Sequence, residues 1–221
     1  MQLIIIVLAS LIPGVLWVWY FRLKDKFERE PISHLIRAFL LGALMVGLAA
    51  LLELPFKNWV LPDAPRLLQI AAAFGVIGLG EELLKALAVY LAVFNSSELD
   101  EPIDGIIYSA AAGIGFSVVE NVLYSLTFGL SVAPARALIA SLAHACFSGI
   151  FGVFIGRTKF SNKPVIELSR GLFYAALMHG LYDFILISQI LSPLAAVALI
   201  VILYFILQHN IKRALRDSPF S

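Results

Sequence analysis

Long runs of apolar residues, separated by short polar segments, follow one another along most of the chain. A helix needs about 20 residues to cross roughly 30 Å of hydrocarbon. Measured against that length, the runs predict about seven transmembrane helices. They lie near Gln2 to Phe21, Leu35 to Leu54, Leu67 to Phe94, Gly105 to Gly129, Pro134 to Gly156, Gly171 to Ile187 and Pro193 to Gln208. The third run is the longest, and we expect it to tilt or break near Gly75, Gly78 and Gly80.

Composition supports a membrane protein. The 221 residues are 61% hydrophobic and 14% charged, with a mean hydropathy of +0.92, which leaves too little polar surface for a water-soluble globule. Because no predicted loop exceeds about 14 residues, there is no room for a separate soluble domain. The sequence therefore predicts an all-α integral membrane protein in which residues 1–221 form one polytopic domain embedded in the lipid bilayer.

The short loops carry their basic residues asymmetrically. One side would hold Arg22, Lys24, Lys26, Arg29, Arg37, Arg157, Lys159, Lys163, Arg170, Lys212, Arg213 and Arg216, and the other only Lys57, Arg66 and Arg136. Loops rich in Lys and Arg stay in the cytoplasm. We therefore expect a multi-pass protein of the cell membrane with its N-terminus outside and its C-terminus in the cytoplasm.

Two classes of function are disfavoured by charge and cysteine content. The net charge is +1, and no basic stripe with interleaved aromatic residues suggests binding to nucleic acid. The single cysteine, Cys146, excludes an internal disulfide and any multi-cysteine metal site.

Four ionisable side chains lie near the middle of separate predicted spans: Glu81, Glu120, His144 and His179. Titratable groups are costly in hydrocarbon, so each is a candidate functional residue. His144 is near Ser141 and Cys146, but neither spacing makes a convincing nucleophilic pair. Glu120, followed by Asn121, is a candidate acid, ligand or orienting partner for a histidine, or it bonds to a neighbouring helix.

The segment from Glu81 to Lys85 holds two adjacent carboxylates and a cation. Neighbouring side chains point about 100° apart on a helix, so we expect Lys85 to share a face with one glutamate and to leave the other available. The alternative is a buried ion cluster that only fixes helix packing. Packing alone poorly explains a second carboxylate without a second cation, because an unpaired buried charge is costly.

His179 and Asp183 are four residues apart, on one face of the sixth span. The carboxylate can hold one ring nitrogen and leave the other aimed at a substrate or water. Together with the glutamates, the histidines supply a base for water and donors for an oxyanion, as peptide hydrolysis requires. A proton-coupled transporter or ion path, and a non-catalytic scaffold, remain alternatives for the same residue set.

Several short motifs occur in order along the chain: Arg29-Glu30-Pro31, Glu81-Glu82-x-x-Lys85, Asp104-Gly105-x-x-Tyr108, Gly115-Phe116-x-x-x-Glu120-Asn121, His144 and His179-Gly180-x-x-Asp183. Together they resemble the PrsW family of intramembrane proteases, which is similar to the CAAX prenyl endopeptidases. Asp183 stands where PrsW-like sequences often have Asn, and Glu120 stands where the prenyl proteases have His.

The resemblance implies a glutamic-type endopeptidase that cleaves a single-span, membrane-anchored protein such as an anti-sigma factor. Glu81 or Glu82 would activate water, and Lys85 would neutralise the other glutamate. His179, oriented by Asp183, would stabilise the oxyanion or protonate the leaving amine. His144 and Glu120 would complete the site, with Asn121 in a supporting role.

Two histidines and a glutamate are also a known set of ligands for catalytic zinc. The chain lacks the His-Glu-x-x-His helix motif, and Lys85 lies one turn from both glutamates, where it would repel a divalent cation. We therefore expect no cofactor and no metal, with zinc as the alternative.

Overall fold

A computed structural model describes residues 1–220, and these residues form helices and connecting segments without any strand. Seven helices are long and apolar enough to cross a membrane, which confirms the predicted number. In chain order they are α1 (Gln2–Arg22), α2 (Ile32–Val60), α3 (Arg66–Phe94), α4 (Pro102–Phe128), α5 (Leu130–Thr158), α6 (Pro164–Ser188) and α7 (Pro193–Arg216).

Three helices depart from regular α geometry. Helix α5 begins with a 3₁₀ segment at Leu130–Val132 and has a π segment at Arg136–Ala140. The last part of α2, Leu54–Val60, winds as a 3₁₀ helix. In α3, the stretch Ala71–Gly78 is a π-helix, and a second π segment, Tyr90–Phe94, ends the helix. The third apolar run was expected to tilt or break near Gly75, Gly78 and Gly80. It instead forms one continuous helix whose turns widen over Ala71–Gly78, just before Glu81. Wide turns of this kind are frequently found at functional sites.

Helices α4 and α5 form the centre of the bundle. In each of these two helices, 78% of an apolar stretch of 18 residues is buried, whereas the buried share in the other five helices is 17–39%. Helix α4 packs against α1, α2 and α5, and α6 packs against α3 and α5. The two central helices are therefore shielded by protein, and their polar residues face other helices.

Small residues allow this close packing. A Cβ atom added to Gly105 of α4 would lie 2.4 Å from the backbone oxygen of Gly152 in α5, and one on Gly115 would lie 2.0 Å from the backbone oxygen of Phe39 in α2. Gly78 of α3 similarly meets the backbone of Gly180 in α6. Each of these three glycines therefore allows two helices to approach closely. Gly75 and Gly80 do not, because an added Cβ at either position would meet nothing within 4 Å.

Candidate active site

Helix α3 turns Glu81, Glu82 and Lys85 into the interior of the bundle, where they are 5%, 1% and 1% exposed. The Lys85 Nζ lies 2.9 Å from Glu81 Oε2, 2.9 Å from Glu82 Oε1 and 2.9 Å from His144 Nδ1. Its three N–H donors therefore each have an acceptor. The expectation that Lys85 pairs with one glutamate only is wrong, because its long side chain reaches back between positions three and four residues earlier.

Glu82 is fully engaged by its neighbours. Its Oε1 accepts from Lys85 and lies 2.9 Å from His179 Nδ1, while Oε2 accepts from the Ser148 hydroxyl at 3.2 Å. A carboxylate in this position stabilises the contact between α3, α5 and α6. It also leaves little capacity to bind a reacting water.

His179 is enclosed by three carboxylates. Its Nδ1 faces Glu82, and its Nε2 lies 3.3 Å from Asp183 Oδ2 and 3.7 Å from Glu81 Oε2. The ring of Phe147 stacks on the imidazole with a centroid distance of 4.7 Å, which fixes the plane of the ring. The predicted contact between His179 and Asp183 is confirmed. The expectation that the other ring nitrogen faces a substrate or water is wrong, because Nδ1 contacts Glu82.

His144 approaches from α5 and faces a separate carboxylate. Its Nε2 lies 3.0 Å from Glu120 Oε2, and a second oxygen of Glu120 lies 3.3 Å from Arg136. Because a lysine ammonium can only donate, Nδ1 of His144 accepts from Lys85 and the ring proton is on Nε2. Of the roles considered for Glu120, this contact favours that of a partner for the histidine.

An internal cavity of about 480 Å³ gives access to these groups. Its polar lining comprises Glu53, Lys57, Glu81, Glu120, Tyr124, Arg136, His144, His179, Tyr182 and Asp183. Neither Glu82 nor Lys85 belongs to this described lining. Glu81 is thus the glutamate of the pair that meets the cavity, a distinction that sequence spacing left open.

Three charged residues of the cavity, Glu53, Lys57 and Arg136, were not recognised as site residues from the sequence. Glu53 lies near the end of the second apolar run, where a carboxylate is typical of the membrane surface. Arg136 was assigned to an outer loop, but its guanidinium lies over the Tyr124 ring at 3.6 Å and contacts Glu120. The sequence did contain a signal for Arg136, which is the third residue of a predicted span. A charged residue within a span indicates a side chain that faces the protein interior.

Asn121, Cys146 and the two other histidines lie outside the lining of this cavity. Asn121 Oδ1 accepts from Arg136 Nε at 3.1 Å, and its amide nitrogen lies 3.2 Å from the Ser141 hydroxyl. Cys146 is fully buried. His34 Nε2 lies 3.4 Å from the Ser96 hydroxyl, and His209 is exposed near the end of α7.

The residues Glu81, His144 and His179 can each offer one ligand atom, and these atoms lie within 4.8 Å of one another. Two imidazoles and a carboxylate at this spacing are compatible with a catalytic metal. The arrangement thus combines a carboxylate and two imidazoles at the wall of one cavity with the Lys85 ammonium, which contacts the carboxylate and one imidazole.

Comparison with known proteins gives a consistent result over most of the chain. Residues 30–208 match the model of the PrsW family of intramembrane metalloproteases. Protease PrsW of Geobacillus kaustophilus is 39% identical over 183 residues, covering 82% of this chain and 79% of that protein. The protein of the same name from Bacillus subtilis is 32% identical over 82% of each chain, and that of Shouchella clausii is 32% identical over 96% of this chain and 97% of its own.

No solved structure matches this chain. The family match and the seven apolar helices together establish a multi-pass membrane protein. The chain belongs to the PrsW family and is a membrane-embedded peptidase.

Proposed function

We propose that this peptidase cleaves a peptide bond in a membrane-anchored protein with a single span, and that Glu81 activates the attacking water. The observation that carries the proposal is the position of Glu81. It is the one member of the Glu81-Glu82 pair on the cavity lining, and Lys85 lies 2.9 Å from its Oε2. A carboxylate oxygen at the cavity wall can hold a water molecule and accept a proton from it.

The reaction follows from these positions. A water held by Glu81 transfers one proton to the carboxylate while its oxygen attacks the carbonyl carbon of the substrate. The carbonyl oxygen becomes an oxyanion in the tetrahedral intermediate. When the intermediate collapses, the C–N bond breaks and the leaving nitrogen takes the proton from Glu81, which returns to its ionised form.

The histidines act on the oxyanion. His179 Nε2 points to the side of Glu81, at 3.7 Å from its Oε2, and Asp183 at 3.3 Å favours a proton on that nitrogen. An N–H donor at this position stabilises negative charge that develops on the carbonyl oxygen. His144, whose Nε2 faces Glu120, supplies a second N–H donor at the same cavity.

The family description names a metalloprotease, so a metal ion must be considered. Glu81, His144 and His179 fit such an ion by donor type and spacing, and they are the residues that would hold it. A bound zinc ion would lower the pKa of a coordinated water and polarise the substrate carbonyl.

We propose that the reaction nevertheless proceeds without a metal. The Lys85 ammonium already contacts Glu81 and His144, two of the three candidate ligands. Metal binding through Nε2 of His144 also requires the ring proton on Nδ1, where Lys85 donates. In this arrangement the lysine supplies the positive charge that a metal would otherwise bring to Glu81.

The walls of the cavity support a membrane-anchored substrate. The rest of the cavity lining is apolar and includes the side chains of Val46, Leu54, Phe56, Ile77 and Leu123. Such walls fit the apolar end of a transmembrane segment once it is unwound, since only an extended peptide exposes its carbonyl to attack. An anti-sigma factor with one span, the substrate class that the family resemblance implies, has this chemistry.

Co-expression tests the proposal directly. Tagged single-span membrane proteins, including anti-sigma factors, are produced with the wild-type chain or with Glu81→Gln, and their fragments are detected with antibodies. We expect a new fragment with the wild type only, and the same fragment when purified peptidase and substrate are mixed in detergent. Equal fragment yields from both chains would disprove a catalytic role for Glu81.

A further inference from the structure

A second group of buried carboxylates lies at the other end of the bundle from Glu53. Asp25 and Glu30 belong to the segment between α1 and α2, and Asp104 lies in the first turn of α4. Their exposed fractions are 0%, 3% and 1%. One carboxylate oxygen from each residue lies within 4.8 Å of the others. We call these three residues the acidic triad.

The triad is distinct from the catalytic cluster. The ring of Phe116, which lies 4.3 Å from the Lys85 Nζ, follows Asp104 by 12 residues on α4. At 1.5 Å per residue this separation is roughly 18 Å along the helix axis. An ion at one cluster would therefore be too far away to be shared with the other.

Two oxygens of the triad are buried without a hydrogen-bond partner. Asp25 Oδ1 accepts from the Phe27 N–H at 3.2 Å, but its Oδ2 is unpartnered. Asp104 Oδ2 accepts from the N–H groups of Asp100 and Glu101, while its Oδ1 is unpartnered. These oxygens come from separate segments of the chain. Buried acceptors in this state indicate a ligand, because each would otherwise cost free energy.

Protein groups supply little compensation for the charge. The Tyr108 hydroxyl donates to Glu30, and Arg22 donates to the backbone oxygen of Glu30, not to its carboxylate. Within residues 1–220, no Lys or Arg forms an ion pair with the triad at 4.0 Å or less.

We propose that the acidic triad binds one hard divalent cation of the calcium and magnesium class. Its donors are all carboxylate oxygens, which such cations prefer, and it lacks the nitrogen and sulfur ligands that favour zinc. These oxygens lie within 4.8 Å of one another, so one ion with ligand distances of about 2.3–2.6 Å can reach all three. The bound cation fastens the segment between α1 and α2 to the first turn of α4.

Binding is measured on the purified full-length protein after removal of bound cations with EDTA. We expect titration with CaCl₂ or MgCl₂ in a calorimeter to reveal one site. Hydrogen exchange followed by mass spectrometry locates it without any substitution. Exchange in residues 23–31 and 99–105 should slow when the cation is added. The absence of stoichiometric binding, or protection confined to other segments, would overturn the proposal.

Substitution gives an independent test. Asp25→Asn and Glu30→Gln remove one charge each with little change in shape, and each should weaken binding at least tenfold. Glu28→Gln is the matched control, because Glu28 belongs to the same segment but is exposed, and it should bind as the wild type does. Unchanged affinity in both triad variants would show that the ion binds elsewhere. If neither variant folds, the exchange measurement on the wild type decides between the outcomes. A triad that only shares protons would show no cation binding in either experiment.

Discussion

The Lys85 Nζ in α3 lies 2.9 Å from His144 Nδ1 in α5, although 59 residues separate them in the sequence. This contact links the two glutamates of α3 to the histidine and carboxylate of α5 and α4. It also fixes the tautomer of His144, because the ammonium can only donate. The Lys85 ammonium thus joins the two glutamates of α3 to His144 of α5.

Replacing Lys85 with Met should abolish proteolysis and destabilise the bundle. The substitution leaves two buried carboxylates without their cation, and breaking a buried ion pair in this way costs about 3–5 kcal/mol. Thermal unfolding in detergent measures the loss of stability. Lys163→Met, in the exposed segment between α5 and α6, is the control and should behave as the wild type. Normal stability and activity of the Lys85 variant would contradict the central position assigned to this lysine.

The two glutamates should differ when each is changed to Gln. Glu81→Gln removes the proposed base at the cavity, so we expect proteolysis to fall by about 10²–10⁴ with a small change in stability. Glu82→Gln disturbs contacts with Lys85, His179 and Ser148 and should lower both activity and stability. Cleavage assays and thermal unfolding of both variants separate the two effects. If Glu81→Gln were fully active while Glu82→Gln were stable but inactive, Glu82 and not Glu81 would be the base.

The histidines provide a further comparison. His179→Ala should nearly abolish cleavage, because it removes a donor enclosed by Glu82, Asp183 and Glu81. His209→Ala should have little effect, since that side chain is exposed on α7. Both variants must insert into the membrane to the same extent, as judged by their amounts in the membrane fraction. Equal cleavage by the two variants would remove His179 from the mechanism.

Much of the fold could be predicted from the sequence because hydrocarbon thickness sets the length of each apolar run. The helix ends were less predictable. Helix α6 begins at Pro164, seven residues before the predicted start at Gly171, and α7 continues to Arg216 beyond Gln208. A helix retains its backbone hydrogen bonds when it leaves the hydrocarbon, so polarity marks the membrane boundary and not the helix boundary.

The site was predictable in its members but not in its contacts. Spacing by four residues indicated the pair of His179 and Asp183 correctly, because both belong to one helix. The approach of Lys85 to His144, and of Arg136 to Glu120, depends on how separate helices cross. Crossing geometry arises from packing of the whole bundle, which no local pattern specifies.

Membrane orientation remains a prediction that labelling can check. The excess of basic residues predicts that the segment around Asp63 is outside and the segment around Lys163 is in the cytoplasm. Single-cysteine variants at these two positions, in a Cys146→Ala background, are treated in whole cells with a reagent that does not cross membranes. We expect labelling at position 63 only. Labelling at position 163 alone would invert the predicted orientation.

The last prediction separates the metal-free reaction from a zinc-dependent one that would use Glu81, His144 and His179. Because Lys85 already contacts two of these residues, we expect the purified peptidase to keep its activity after treatment with a zinc-selective chelator. The assay should contain excess magnesium, so that any hard cation at the acidic triad stays in place. Elemental analysis of the active protein should find no stoichiometric transition metal. Loss of activity that zinc alone restores would identify the three residues as ligands, and Glu81 could then no longer be the base that takes the proton from water.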